Sequence, residues 1–134
     1  MSESHTRLSP QRLIELGLAY PGTSVKHPFD PNMPVLFVGS KMFALIGASS
    51  GSPSVNLKTS PDEAWLQRES YPGSVLPGYH MNKKHWNTVL LDGSVPDAVI
   101  AEMLEVSYLL VQAKLTRAER DELELGPAAK RKPS

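Results

Sequence analysis

Two short apolar runs joined by a tight turn place the strongest constraint on how this chain can fold. Val35–Val38 (VLFV) and residues 42–46 (MFALI) flank Gly39-Ser40-Lys41. Strand-forming residues on both sides of a short glycine-containing connection read as a β-hairpin. Neither run approaches the ~20 apolar residues that span a bilayer, so the hairpin belongs to a packed core and no membrane segment is expected. The remaining elements have to supply the other strands and the helices that cover them.

Upstream, a helix is expected over residues 10–19. Ser9 can cap it, Pro10 suits the first helical position, and Leu8 can staple onto Leu13. Leu13, Ile14, Leu16 and Leu18 give it a broad apolar face, and Tyr20-Pro21-Gly22 breaks it. Residues 23–29 fit an earlier edge strand before the turn-prone Asp30-Pro31-Asn32. Downstream of the hairpin, a Ser-, Gly- and Pro-rich loop over 48–53 leads to a third strand at 54–58. Ser60-Pro61-Asp62-Glu63 then combines a cap, a proline and two acids at the positive end of a helix running to about residue 70.

Residues 71–78 contain two prolines and two glycines and read as a loop or an irregular edge strand. A strand follows at 86–91, with Asp92-Gly93 as the turn after it. The best-defined helix covers 96–114, where Ile100, Met103, Leu104, Ser107, Tyr108, Val111 and Leu115 share one face. Thr116-x-x-Glu119 is a capping box for a short last helix that Gly126-Pro127 ends, and 126–134 reads as a disordered basic tail. No internal repeat is present. The order predicts an α+β fold, with helices packed on one face of an antiparallel sheet, in a single domain over 1–125.

Cysteine is absent, which removes a disulfide framework, a thiolate zinc site and a cysteine nucleophile together. The polar start MSESHTRL lacks the apolar centre of a signal peptide, so a cytoplasmic protein is expected. Fourteen basic and fourteen acidic residues cancel. A dedicated DNA-binding domain is usually basic overall, so any nucleic-acid contact must come from a local patch. Residues 96–125 carry seven acids against three bases, whereas 1–95 are nearly balanced at eight bases and seven acids.

His5, His27, His80 and His85 form no H-x-H or H-x-x-x-H pair, so no metal site is predicted. No G-x-S-x-G elbow is present. Gly47-Ala48-Ser49-Ser50-Gly51 lacks the G-K-[ST] ending of a phosphate loop and precedes a strand rather than a helix. The densest chemistry lies in YHMNKKHWNT at 79–88, with two lysines, two histidines, two asparagines, a tyrosine and a tryptophan. Lysines neutralise phosphates, amides read base edges and aromatics stack on bases. The same residues also suit a buried Trp86 strand preceded by a charged loop. Lys58, at a strand exit, adds a positive charge to the same candidate patch, and Lys130-Arg131-Lys132 can touch polyanions without specificity.

The stretches VNLKTSPDE (55–63), HMNKKHWNTVLLDGSVPD (80–97) and SYLLV (107–111) closely resemble the MmcQ/YjbR family. The resemblance runs over about residues 8–123, and its most specific parts are N-K-x-H-W at 82–86 and D-G-x-x-P-D at 92–97. It implies a frataxin (CyaY)-like fold with a twisted antiparallel sheet, the "double wing" arrangement of bacterial proteins labelled as DNA-binding. It brings no catalytic residues and no cofactor. Iron binding, which frataxins are thought to carry on an acidic first helix, does not transfer, because that helix offers only Glu15 here.

The resulting expectation is a non-enzymatic module that binds double-stranded DNA weakly. Lys58, Lys83 and Lys84 would meet phosphates, Asn82 and His85 would donate hydrogen bonds, and Trp86 would anchor the loop. No cofactor and no metal are expected, and the chain would be a monomer or weak dimer. The alternatives are a protein-interaction or regulatory module that never meets nucleic acid, and a small-molecule binder or enzyme using His80, His85 and Asp92.

Overall fold

The computed structural model describes residues 8–49, 51–78 and 81–124. The Ser9 hydroxyl accepts the Arg12 amide at 3.1 Å and starts α1 (Pro10–Leu18), with Pro10 in the first turn. Six strands and one further helix follow: β1 (Thr23–Lys26), β2 (Val35–Val38), β3 (Lys41–Ser49), β4 (Ser52–Lys58), α2 (Pro61–Ser70), β5 (Val75–Pro77) and, completing the sheet, β6 (Trp86–Leu90). The chain continues into α3 (Asp97–Gln112) and α4 (Arg117–Glu122). The six strands form one antiparallel sheet in the order β1-β2-β3-β4-β6-β5.

Register decides which side chains meet the helices. Leu36, Ala44, Leu57 and Asn87 are cross-strand partners in one row, and Val35, Leu45, Asn56 and Thr88 form the neighbouring row on the opposite face. The first row and its continuation, Val38, Ile46, Val55 and Val89, face Leu13 of α1 and Ile100, Leu104, Tyr108 and Val111 of α3. Each of those large aliphatic side chains stabilises the fold by roughly 1.5–3 kcal/mol relative to exposure. α2 lies on this same face, because the side-chain amide of Asn87 donates to the Ala64 carbonyl at 3.1 Å. An α+β fold with helices on one side of an antiparallel sheet is therefore what the chain forms.

A β-bulge shapes the hairpin. Leu36 pairs with Ala44 but Phe37 pairs with Met42, so Phe43 is an extra residue on β3. Its ring turns into the core, edge-on to Tyr108 at 5.4 Å, while Tyr20 stacks on Tyr108 at 4.7 Å. The Tyr108 hydroxyl donates to the Pro21 carbonyl at 2.8 Å and ties α3 to the turn after α1.

Several boundaries differ from those expected. The region 48–53 is mostly strand: Ala48 pairs with Pro53 and Ser49 with Ser52, so the β3–β4 ladder outlasts the loop-like composition. Pro53 is accommodated because its carbonyl, rather than an amide, is used, accepting the Leu91 amide at 2.8 Å. The strand expected at 23–29 stops at Lys26. At α4 the Thr116 hydroxyl accepts the Glu119 amide at 3.1 Å. The Glu119 carboxylate does not complete the capping box, because it accepts the Ser40 amide at 2.6 Å and hydroxyl at 3.0 Å. Gly39, at φ +57°, leaves room for that carboxylate, which a Cβ would meet at 2.5 Å. The Gly126-Pro127 stop and the tail at 126–134 lie outside the described residues.

Candidate anion-binding site

At the end of the sheet where β4 closes and β6 begins, β3 and β4 separate. Their last pair is Ala44 with Leu57. Beyond it the Ser107 hydroxyl of α3 stands between the strands, accepting the Lys58 amide at 2.8 Å and donating to the Phe43 carbonyl at 2.6 Å. One side chain thus satisfies both backbone groups that the parting leaves without a ladder partner.

A cavity of about 470 Å³ opens beside this separation, lined by Lys41, Met42, Lys58, Trp86, Val111 and Lys114. Three ammonium groups and an indole surround it, with no carboxylate in its wall. Among the described residues none of the three lysines is ion-paired. Burial holds the Lys58 amine below the usual lysine range, and the charges of Lys114 and Lys41 lower it further. Like charges held together in a partly dry site favour an anion that neutralises them. Trp86 pairs with Lys58 across the β4–β6 ladder and is only 9% exposed, so it forms a rigid wall.

The loop before β6 is a backbone construction. Asn82 Oδ1 accepts the Lys84 amide at 2.9 Å, and the Asn82 carbonyl accepts the amides of His85 at 3.0 Å and Trp86 at 2.9 Å. The His85 carbonyl accepts the Thr59 amide at 2.7 Å. Arg68 of α2 donates through Nη2 to the Lys83 carbonyl and through Nε to Asn87 Oδ1, the latter at 2.7 Å. Asn87, itself buried, also donates to Gln67 Oε1 at 3.0 Å. Arg68 and Asn87 therefore clamp the N-K-x-H-W loop onto α2.

Of the residues singled out in the sequence, Lys58 and Trp86 line the cavity. Lys83 and Lys84 are exposed on the adjoining loop at the same end of the sheet, outside the cavity wall. Asn82 is exposed with its side-chain oxygen engaged in a turn, and His85 is half-buried. His80 lies outside the described residues. Asp92 is exposed, and its Oδ1 accepts the Ser94 amide at 3.0 Å. Sequence reasoning missed Lys41 and Lys114, which come from a hairpin and a helix end and share no spacing with Lys58. It also missed Asn87, which reads as an ordinary strand residue.

Among the described residues no group of three or more His, Asp or Glu side chains could hold a metal ion, and Glu15 pairs with Arg12 at 2.9 Å. Nor, among them, is any helix long and apolar enough to cross a membrane.

Fold and site together define a small α+β protein with a basic cavity where its antiparallel sheet splays. The chain belongs to the YjbR family, whose model matches residues 18–110. That span takes in Lys41, Lys58 and the loop before β6 and ends short of Lys114. The chain is 37% identical to Uncharacterized protein YbdF of Escherichia coli O157:H7, over 84% of this chain and 89% of that one. It is 38% identical to Uncharacterized protein YjbR of Escherichia coli K12, over 72% of this chain and 80% of that one. Its structure is similar to that of Deinococcus radiodurans protein DR2400, a DUF419 domain, with a TM-score of 0.80, 38% identity and coverage of 88% and 89%. A Pseudomonas syringae protein superposes with a TM-score of 0.66 at 28% identity, covering 76% of this chain and 97% of that one.

Proposed function

We propose that this chain is a non-enzymatic nucleic-acid-binding module that holds duplex DNA weakly by its phosphates. The observation that carries this reading is the convergence of Lys41, Lys58 and Lys114 on one cavity without a lining carboxylate. Lys83 and Lys84, exposed on the next loop, extend the positive surface along the same sheet end. Contacts of this kind position a protein on the phosphate backbone without reading sequence. With zero net charge there is little long-range attraction to add, which is why the binding is weak. Asn82 and His85 contribute by shaping the loop. The element order and the one-sided helices also support a frataxin-like, double-wing description of the fold, and the lack of cysteine suits work in the cytoplasm.

The test is fluorescence anisotropy of a labelled random duplex titrated with the protein at ~50 and ~200 mM salt. Three phosphate contacts predict that affinity falls about 40-fold between those concentrations. Saturable binding with that dependence supports the reading, and no binding at the lower salt concentration overturns it.

A further inference from the structure

α2 and α3 present a second, chemically opposite feature. A groove of about 340 Å³ runs between them, and its lining includes Leu66, Val99, Met103 and Val106 together with Glu63 and Glu102. Each helix contributes residues at i, i+3 and i+7 spacing, 63, 66 and 70 on α2 and 99, 102 and 106 on α3, so the groove follows two helical stripes. Leu66 is 49% exposed and Val106 39%, and Leu109 extends the α3 stripe by a further turn at 36%. These are large aliphatic groups left partly in water on the two helices that line one groove, the arrangement of an apolar floor open to a partner.

The charge around them has one sign. α3 contains Asp97, Glu102 and Glu105 and no lysine or arginine. The one base of α2, Arg68, is held by Asn87 and the Lys83 carbonyl and lines no part of the groove. An apolar floor between carboxylates suits an amphipathic helix with aliphatic anchors and flanking Lys or Arg residues. A second copy docking by a two-fold axis would set Glu63 and Glu102 near their own counterparts. The chain's own residues 125–134 carry Lys130-Arg131-Lys132 but only one large apolar side chain, Leu125, to fill the floor. Nucleic acid is repelled by the rim.

We infer that the α2–α3 groove docks a basic amphipathic helix of a partner protein. The site shares no lining residue with the lysine cavity, so it stands or falls independently of DNA binding.

The experiment uses the full chain and a fluorescein-labelled synthetic helix of about 14 residues, four turns long, with leucines at i, i+3, i+4 and i+7 and lysines elsewhere. A second peptide replaces every lysine by glutamate. The wild-type chain should bind the basic peptide saturably and leave the acidic one unbound. Val106→Asp and the double variant Glu63→Lys/Glu102→Lys should each lower affinity about tenfold or more, because one places a charge on the floor and the other reverses the rim. Asp121→Lys/Glu122→Lys, which changes exposed acids on α4, should leave binding unchanged. Circular dichroism checks that each variant is folded. Equal binding by wild type and both groove variants overturns the inference, as does equal binding of the two peptides. Sedimentation showing a wild-type dimer that Val106→Asp dissolves would overturn it in favour of a second copy.

Discussion

The Ser107 hydroxyl donates to the Phe43 carbonyl across 2.6 Å, on the line where β3 and β4 part. It accepts the Lys58 amide at the same time, so one fully buried oxygen replaces the missing rungs of the ladder. Ser107→Ala leaves a carbonyl and an amide without partners and should cost about 1–3 kcal/mol. Urea unfolding reads this as a lower midpoint with an unchanged slope. An unchanged midpoint would show that the separation is held by α3 packing alone.

Asn87 joins β6 to α2 through Ala64, Gln67 and Arg68. Asn87→Ala removes all three contacts and strands polar groups in a buried place, at a cost of about 2–4 kcal/mol. The effect should also be local. With Arg68 released, the loop before β6 should be cut faster by trypsin at Lys83 and Lys84 under native conditions, where opening equilibria govern cleavage. Cleavage at the wild-type rate would mean that the turn around Asn82 suffices to hold the loop.

Much of this fold can be read in the sequence because its signals are local. Ser9-Pro10, Ser60-Pro61 and Thr116 cap helices through contacts three residues away, and the hairpin runs flank their own turn. The stripe from Ile100 to Leu115 fell on the buried face because helical period alone selects it. The same reasoning misplaced the 48–53 region, where composition marks a turn but the length of the ladder is set by pairing partners. The site was legible only in part. Lys58 and Trp86 become neighbours through strand pairing, and Lys41 and Lys114 join them because a bulge and a separation bring a hairpin and a helix end together. Glu119 looked like a capping acid and instead serves the Gly39-Ser40 turn, 79 residues away.

Lys58→Ala should weaken duplex binding to a similar extent on every sequence and reduce the salt slope by about one. Lys41→Ala and Lys114→Ala should act likewise. Asn82→Ala, by contrast, should lower stability while leaving the salt slope of the folded protein unchanged, since its oxygen serves the loop backbone. Titrations at a series of salt concentrations separate the two behaviours, and identical slopes for Lys58→Ala and wild type would remove Lys58 from the contact surface.

The depressed Lys58 pKa gives binding a pH signature. Between the lowered folded value and the unfolded value near 10.5, the folded chain holds less proton at this site than the unfolded chain, so this group favours folding increasingly as pH rises through that window. Anion binding needs the proton, so affinity should fall as pH enters the same window, earlier than for an ordinary lysine. Lys58→Arg keeps its charge and should hold affinity there. Tyr20 acts with the opposite sign at high pH. Burial, Glu105 and Tyr108 raise its pKa above 10.0, so its contribution is intact below that value and is lost as pH climbs through the raised one. Anisotropy and unfolding midpoints measured side by side distinguish the effects, and parallel pH profiles for Lys58→Arg and wild type would contradict the assignment.

Gly78 lies under Trp86, where an added Cβ would meet the Trp86 Cβ at 2.9 Å and its carbonyl oxygen at 3.0 Å. Because one of those neighbours is backbone, Gly78→Ala should cost about 1–3 kcal/mol and shift the indole. Emission from the buried Trp86 should change while that from Trp65, 61% exposed on α2, does not. Wild-type spectra and stability would show that the loop absorbs a methyl group without moving the cavity wall.

The two outer strands of the sheet are both short. β1 has four residues, with exposed Lys26 at its end, and β5 has three and ends on Pro77, which has no amide proton to offer. Short edges bearing a lysine or a proline are poor templates for another chain. The apolar interior of this sheet is thus shielded from growing sideways into fibrils, and a variant that lengthened either margin with alternating valines would turn the sheet into a seed for aggregation.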